Sequence, residues 1–215
     1  MPQIIQVGIA QIAPVWLNRE QTLAKIARCV KLVADEGCQL VTFGEALLPG
    51  YPFWIERTDG ARFNSPVQKE IHAHYLHQAV QIEAGHLELL CDTAVQHQIA
   101  VIVGCIERAR DRGGHSLYCS LVYVDSQGVI QSVHRKLMPT YEERLAWAPG
   151  DGHGLRVHQL GTFTVGEERL IVAAVDHKRV RAERQNFDPA GHYARPDVTH
   201  LTVNRKRQRT LTIVE

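Results

Sequence analysis

Residues 39–52, Gln-Leu-Val-Thr-Phe-Gly-Glu-Ala-Leu-Leu-Pro-Gly-Tyr-Pro, leave the backbone few choices: an apolar run, a carboxylate (Glu45) just past it, and a Pro/Gly turn that stops it. Such a run reads as a buried strand that delivers Glu45 to its C-terminal end. What precedes it fits the same plan. Residues 4–12 read as a strand, Asn18 is placed to cap a helix, and Leu23, Ile26, Ala27, Val30 and Val33 share one face of that helix before Gly37 ends it. Strand, helix and strand in this order predict an α/β fold with a right-handed crossover. In open α/β sheets ligands collect at the carboxyl ends of the strands, so Glu45 is well placed for proton transfer. Taken alone, a Glu at a strand end more often caps the next turn or pairs with a nearby base.

Downstream, residues 50–66 form a loop rich in Gly, Pro and aromatic residues, in which Tyr51, Phe53 and Trp54 follow closely on Glu45. They are candidates for lining a pocket, and aromatic residues there are as often packing. Helical patterns are expected around residues 68–81 and 86–98, then an apolar strand over 99–106. Two further apolar runs, 117–124 and 129–133, joined through Asp125-Ser126-Gln127-Gly128, predict a hairpin. It leads into His134-Arg135-Lys136, which on its own reads as a solvated basic cluster.

Composition excludes more than it assigns. With 45% hydrophobic and 22% charged residues in 215, the chain is globular in character and expected to be one domain. A net charge of +1 argues against nucleic acid or an anionic membrane as partner. No run of 18 apolar residues and no basic-then-apolar leader is present, so neither a membrane span nor a secretory signal is indicated. Five cysteines without paired spacing point to a reducing compartment, the cytoplasm, and to small buried hydrophobes. His72, His74 and His77 cluster on an expected helix, where the first two point to nearly opposite sides and cannot converge on one ion. The basic run Arg205-Lys206-Arg207-Gln208-Arg209 lacks interleaved aromatic residues for stacking bases. P-loop and dinucleotide glycine fingerprints are absent, so no cofactor and no metal is expected.

Three separated segments, in order, carry a specific resemblance. Glu45 before Pro-Gly-Tyr-Pro, Lys136 before Pro139-Thr140-Tyr141-Glu142-Glu143-Arg144, and residues 184–198 (Arg-Gln-Asn-Phe-Asp-Pro-Ala-Gly-His-Tyr-Ala-Arg-Pro-Asp-Val) together resemble the nitrilase branch of the carbon-nitrogen hydrolase superfamily. The resemblance implies a four-layer α-β-β-α sandwich and a Glu-Lys-Cys triad acting on a small nitrile. Glu45 would be the general base, Lys136 would stabilise charge developing on the substrate nitrogen, and Glu143 would position substrate and lysine. In such chemistry a thiolate attacks the nitrile carbon to give a covalent thioimidate, splitting one hard hydrolysis into two easier steps. Assembly into homo-oligomers is expected by the same resemblance.

One member of the triad has no counterpart. The nucleophile of the family lies in a short Cys-Trp-Glu-like sequence downstream of the lysine, and here no cysteine follows Cys119. Cys29, Cys38, Cys91 and Cys105 precede it, and Cys119 alone merits testing as a substitute, because its strand leads into the lysine turn. Residues 161–166 resemble the approach to the nucleophile strand and residues 167–176 the strand before the tail, so roughly a hundred family residues are expected to be missing between Gly166 and Glu167. The expected architecture is therefore an incomplete nitrilase-like α-β-β-α sandwich, residues 1–166 forming its N-terminal part and 167–215 its last strand and tail. Expected roles are a catalytically dead pseudoenzyme or an interaction subunit of an intact nitrilase. The retained sheet would expose apolar faces.

Overall fold

The computed structural model of the chain describes residues 5–60, 62–160, 163–165 and 205–206. The opening strand-helix-strand is there. Strand β1 (Val7–Ala10) and strand β2 (Leu40–Phe43) run parallel, joined by helix α1 (Arg19–Asp35). Asn18 starts α1 by accepting a hydrogen bond from the Gln21 amide at 3.0 Å, and Gly37, at φ +80°, turns the chain out of it. After the short helix α2 (Trp54–Arg57) come helix α3 (Pro66–Gln78) and helix α4 (Glu88–His97). Both are shorter than the sequence pattern suggests. Helix α3 stops because Ala79 is extended and the Val80 amide bonds the Ile106 carbonyl at 2.7 Å, and Gly85, at φ +78°, separates the following turn from α4.

Strand β3 (Ala100–Arg108) pairs parallel to β2 and antiparallel to β4 (Leu117–Val124), which pairs antiparallel with β5 (Ile130–Arg135). The result is a mixed five-stranded sheet in chain order, with the predicted hairpin as its β4–β5 edge. Strand β3 runs two residues beyond the expected apolar run because Glu107 and Arg108 find partners in Tyr118 and Leu117. Two short strands, β6 (His158–Leu160) and β7 (Phe163–Val165), form a separate antiparallel pair.

Strand periodicity decides which side chains meet the helices. Val41, Phe43, Val101, Val103, Cys105, Val122 and Val124 point to one face, where Leu23, Ile26 and Val30 of α1 and Leu90 and Ala94 of α4 bury them. Gly8 belongs to this face, and a Cβ there would meet Val33 Cγ1 at 2.3 Å, so α1 sits close only because residue 8 is glycine. The opposite face carries Val7, Ile9, Leu40, Ala100, Ile102, Leu121 and Tyr123. Leu160 packs onto part of it, while Ile9 stays 85% exposed and Val7 and Leu121 are also exposed. Beyond the carboxyl ends of the parallel strands lies a second apolar cluster, built from Ala46, Trp54, Ile55, Tyr75, Ile106, Leu117, Cys119 and Trp147. This cluster is the floor on which the candidate site stands.

Cys105 and Cys119 are buried as expected, but Cys29, Cys38 and Cys91 are only part-buried. The Gly166–Glu167 junction, residues 167–176 and 184–198, and Arg207 and Arg209, for which the sequence carries expectations, lie outside the described residues. Arg205 and Lys206 are exposed.

Candidate active site

Glu45 and Lys136, 91 residues apart, meet. Strand β2 ends at Phe43 and the turn after it presents Glu45. On the other side the Lys136 amide bonds the Cys119 carbonyl at 2.8 Å, extending the β5–β4 ladder by one step and aiming Lys136 across the sheet's end. The Lys136 ammonium donates to Glu45 Oε1 at 2.9 Å and to Glu143 Oε2 and Oε1 at 2.9 and 3.2 Å. Burial works against its charge, but its hydrogen bonds to both carboxylates outweigh that and raise its pKa above the ordinary lysine value.

Glu143 has two tasks. Thr140-x-x-Glu143 is a capping box: the Glu143 carboxylate accepts from the Thr140 amide at 2.7 Å and from its hydroxyl at 3.0 Å, fixing the short 3-10 turn Tyr141–Leu145. The same buried carboxylate holds Lys136 and accepts the Tyr51 hydroxyl at 3.2 Å. Burial would raise its pKa, yet the Thr140 amide and the Lys136 ammonium bring it below the ordinary carboxylate value. A depressed acid stabilises the fold above its unfolded pKa of about 4.3 and loses that contribution as pH falls through its folded value. A raised lysine stabilises below about 10.4 and loses it as pH climbs through its folded value, so the pair is intact across the neutral range.

Of the expected pocket aromatics, Tyr51 is at the site and Trp54 is not. Tyr51 packs edge-on against Trp147 at 5.5 Å, with its hydroxyl pushed up to about 12 by burial and by Glu143, so it stays a donor. Trp54 is buried against Tyr75 and His72 on the far side of the cluster. Trp147, whose ring centroid lies 5.8 Å from the Lys136 ammonium, took no role from the sequence; its signal was its place in the same segment as Lys136 and Glu143. The sequence also missed Arg135. Far from being solvated, it is 3% exposed, in a two-pronged pair with Glu107.

A cavity of about 260 Å³ opens beside Glu45 and Lys136, lined also by Gly104, Cys119, Ser120, Leu121 and His134. Gly104 lets the site exist: a Cβ there would meet the Gly44 carbonyl oxygen at 2.3 Å and Glu45 Cα at 2.8 Å. Both obstacles are backbone. Gly104→Ala is expected to cost about 1–3 kcal/mol by displacing the Glu45 turn. Chemical denaturation measures it, and a loss under about 0.5 kcal/mol, typical of a neutral surface change, would show that the turn yields freely.

Cys119 lies within this group, its Sγ 3.5 Å from Glu45 Oε1. Burial and then the Glu45 charge and hydrogen bond push its thiol up to about 12, with Lys136 pulling the other way. At pH 7 only about one part in 10⁵ is then thiolate. Native-state alkylation by iodoacetamide should therefore be negligible at Cys119 near pH 7, rise about tenfold per pH unit, and be faster in Glu45→Gln, which removes the opposing charge. Peptide mass spectrometry checks this, and rapid labelling of Cys119 at pH 7 would contradict it.

His72, His74 and His77 do not gather. His72 faces Trp54 and the His74 ring bonds the Leu17 carbonyl at 3.0 Å. Among the described residues no three His, Cys, Asp or Glu side chains come together as a metal would require, and no helix is long and apolar enough to cross a membrane.

Fold and site together define a class: a mixed α/β sheet that holds a lysine between two glutamates beyond its parallel strands. Residues 6–203 match the carbon-nitrogen hydrolase family. The chain belongs to that family, in its nitrilase branch. An arylacetonitrilase of Aspergillus niger is 35% identical over 151 residues, covering 70% of this chain and 42% of that protein. An aliphatic nitrilase of Rhodococcus rhodochrous is 31% identical over 165 residues, covering 75% and 42%. The chain thus spans under half the length of these relatives. An amidase from Nesterenkonia sp. superposes with a TM-score of 0.55 at 18% identity, covering 74% of this chain and 53% of that one, so the fold is a nitrilase fold in part.

Proposed function

We propose that this chain carries the proton-transfer and charge-stabilising half of a nitrilase-type site and does not itself hydrolyse nitriles. The family reaction converts a nitrile and two waters into a carboxylate and ammonia. Glu45 can take a proton from a thiol or water, Lys136 can stabilise anionic nitrogen, and Glu143 with Thr140 and Tyr51 fixes the lysine. The carrying observation is the place of the thiol: Cys119 is the cysteine that reaches this cluster, it is buried in β4 where burial and Glu45 push its pKa up, and none of the chain's cysteines follows it.

An internal loss of roughly a hundred residues between Gly166 and Glu167 accounts for this, with residues 1–166 the N-terminal part of the domain and 167–215 its last strand and tail. In support, the family match runs on to residue 203 although the chain spans only 42% of each nitrilase named above. The role left to such a chain is that of a non-catalytic subunit associating with copies of itself or with an intact nitrilase, a reading favoured by Val7, Ile9 and Leu121 exposed on one sheet face. Ammonia release from aliphatic and aromatic nitriles tests the first statement. A discrete homo-oligomer, or co-purification as a stable mixed oligomer with an intact nitrilase, supports the second, and non-specific aggregates alone would sink it.

A further inference from the structure

A second cleft, of about 460 Å³, opens between α2, the start of α3 and Leu145, and shares no lining residue with the Glu45–Lys136 cavity. Its apolar surface comes from Trp54, Ile55, Phe63, Ala73, Leu76 and Leu145. Its charge is of one sign: Arg62 and Lys69 line it and no carboxylate does. Burial lowers the pKa of His72, which also lines the cleft. The N-terminal end of α3, at Ser65 and Gln68, adds the positive pole of a 13-residue helix. Local bonds shape this wall. The Gln68 side-chain amide is spent on the Thr58 and Gly60 carbonyls at 2.9 and 2.7 Å, and the Lys69 ammonium rests on the Asn64 side-chain oxygen.

One group in this wall lacks what it needs. Trp54 is 4% exposed, and its indole N–H is buried without an acceptor. Buried donors are almost always paired, and this one belongs to a side chain that lines the cleft, so an acceptor lodged there would reach it only with a small shift of the ring. We propose that this cleft binds an amphipathic organic anion: a carboxylate on an aryl or alkyl body, its charge met by Arg62 and Lys69, its body by Trp54, Leu76 and Leu145. Few, placed polar groups in an otherwise apolar concavity are the usual make-up of such sites.

Phenylacetate, titrated into the full chain at low salt and followed by calorimetry, is the probe; phenylacetamide, of the same shape without charge, is its control. Phenylacetate should saturate below about 10 mM, with the amide about tenfold weaker or more. Arg62→Ala and Lys69→Ala should each weaken the anion about three- to fivefold, as partly exposed charges do, and added salt should weaken it further. Trp54→Phe, which keeps an aromatic body and removes the N–H, should also weaken it, while Lys136→Ala leaves it unchanged. Should Trp54→Phe fold poorly, the two surface variants still decide. Equal binding of acid and amide, no saturable binding, or loss in Lys136→Ala with Arg62→Ala and Lys69→Ala neutral would overturn the proposal, the last by moving the anion to the other cavity.

Discussion

Ammonia release from nitriles by the purified chain is expected to stay at background, on the order of a millionfold below an intact triad, or about 8 kcal/mol of lost transition-state stabilisation. The size follows from how such groups work. In the proposed reading Glu45 and Lys136 act on a nucleophile and on the charge its attack creates; without one they would have nothing to activate and no anion to hold. Cys119 does not fill the place. It is embedded in β4 and buried, and burial, with the Glu45 charge and hydrogen bond, raises its pKa, so thiolate is scarce at neutral pH. Lys136 cannot offset this while its ammonium is shared between Glu45 and Glu143. The assay is read against Glu45→Gln, Lys136→Ala and Cys119→Ala, all expected to be indistinguishable from the parent. Release above background that vanishes on alkylation and in Cys119→Ala would reverse the conclusion and make Cys119 the nucleophile.

Legibility in the sequence stopped where contacts became long-range. The crossover around α1 was readable because Asn18, Gly37 and the spacing of Leu23, Ile26 and Val30 are local signals, and the β4–β5 hairpin because four turn residues separate two apolar runs. Glu45 and Lys136 were readable only as separate segments whose order resembles a family; nothing local tells that strand β2 and the end of β5 converge. Glu143 carried a local signal as well, since Thr140-x-x-Glu143 is a capping box whichever lysine it later meets. Arg135 was misread in isolation because a basic triplet after a strand is usually solvated. Its burial depends on Glu107, 28 residues earlier, and on a register across three strands that periodicity does not supply. Trp54 illustrates the same limit: proximity in sequence to Glu45 suggested the catalytic cavity, but α2 turns its ring to the other side of the Tyr75 cluster.

That misread arginine supports the second large expected effect. Replacing Glu107 with Ala should destabilise the chain by about 3–5 kcal/mol, the range for stripping a buried ion pair of one partner. Glu107 accepts from Arg135 Nε at 2.8 Å and Nη2 at 2.7 Å, and from the Ser120 hydroxyl at 2.7 Å, so β3, β4 and β5 are tied at one carboxylate. Asp111 lies 3.1 Å from the same guanidinium, which also stacks on Tyr118 at 4.2 Å, but Asp111 is far more exposed and cannot replace a buried bidentate partner. With Glu107 gone, a buried guanidinium loses most of its compensation, and at 2–4 °C per kcal/mol for a chain of this size the melting midpoint should fall by about 10 °C. The double variant Glu107→Leu, Arg135→Met separates pair from charge: removing both partners should restore much of the loss, because the cost lies in the orphaned ion and not in the missing attraction. If the single variant costs under about 1 kcal/mol, as exposed pairs do, then water or Asp111 already solvates Arg135. The site feels the outcome through one peptide bond. Lys136 follows Arg135 directly, and the Gly150 amide bonds its carbonyl at 2.8 Å, so loosening the Arg135 anchor loosens the strand end that aims the ammonium at Glu45 and Glu143.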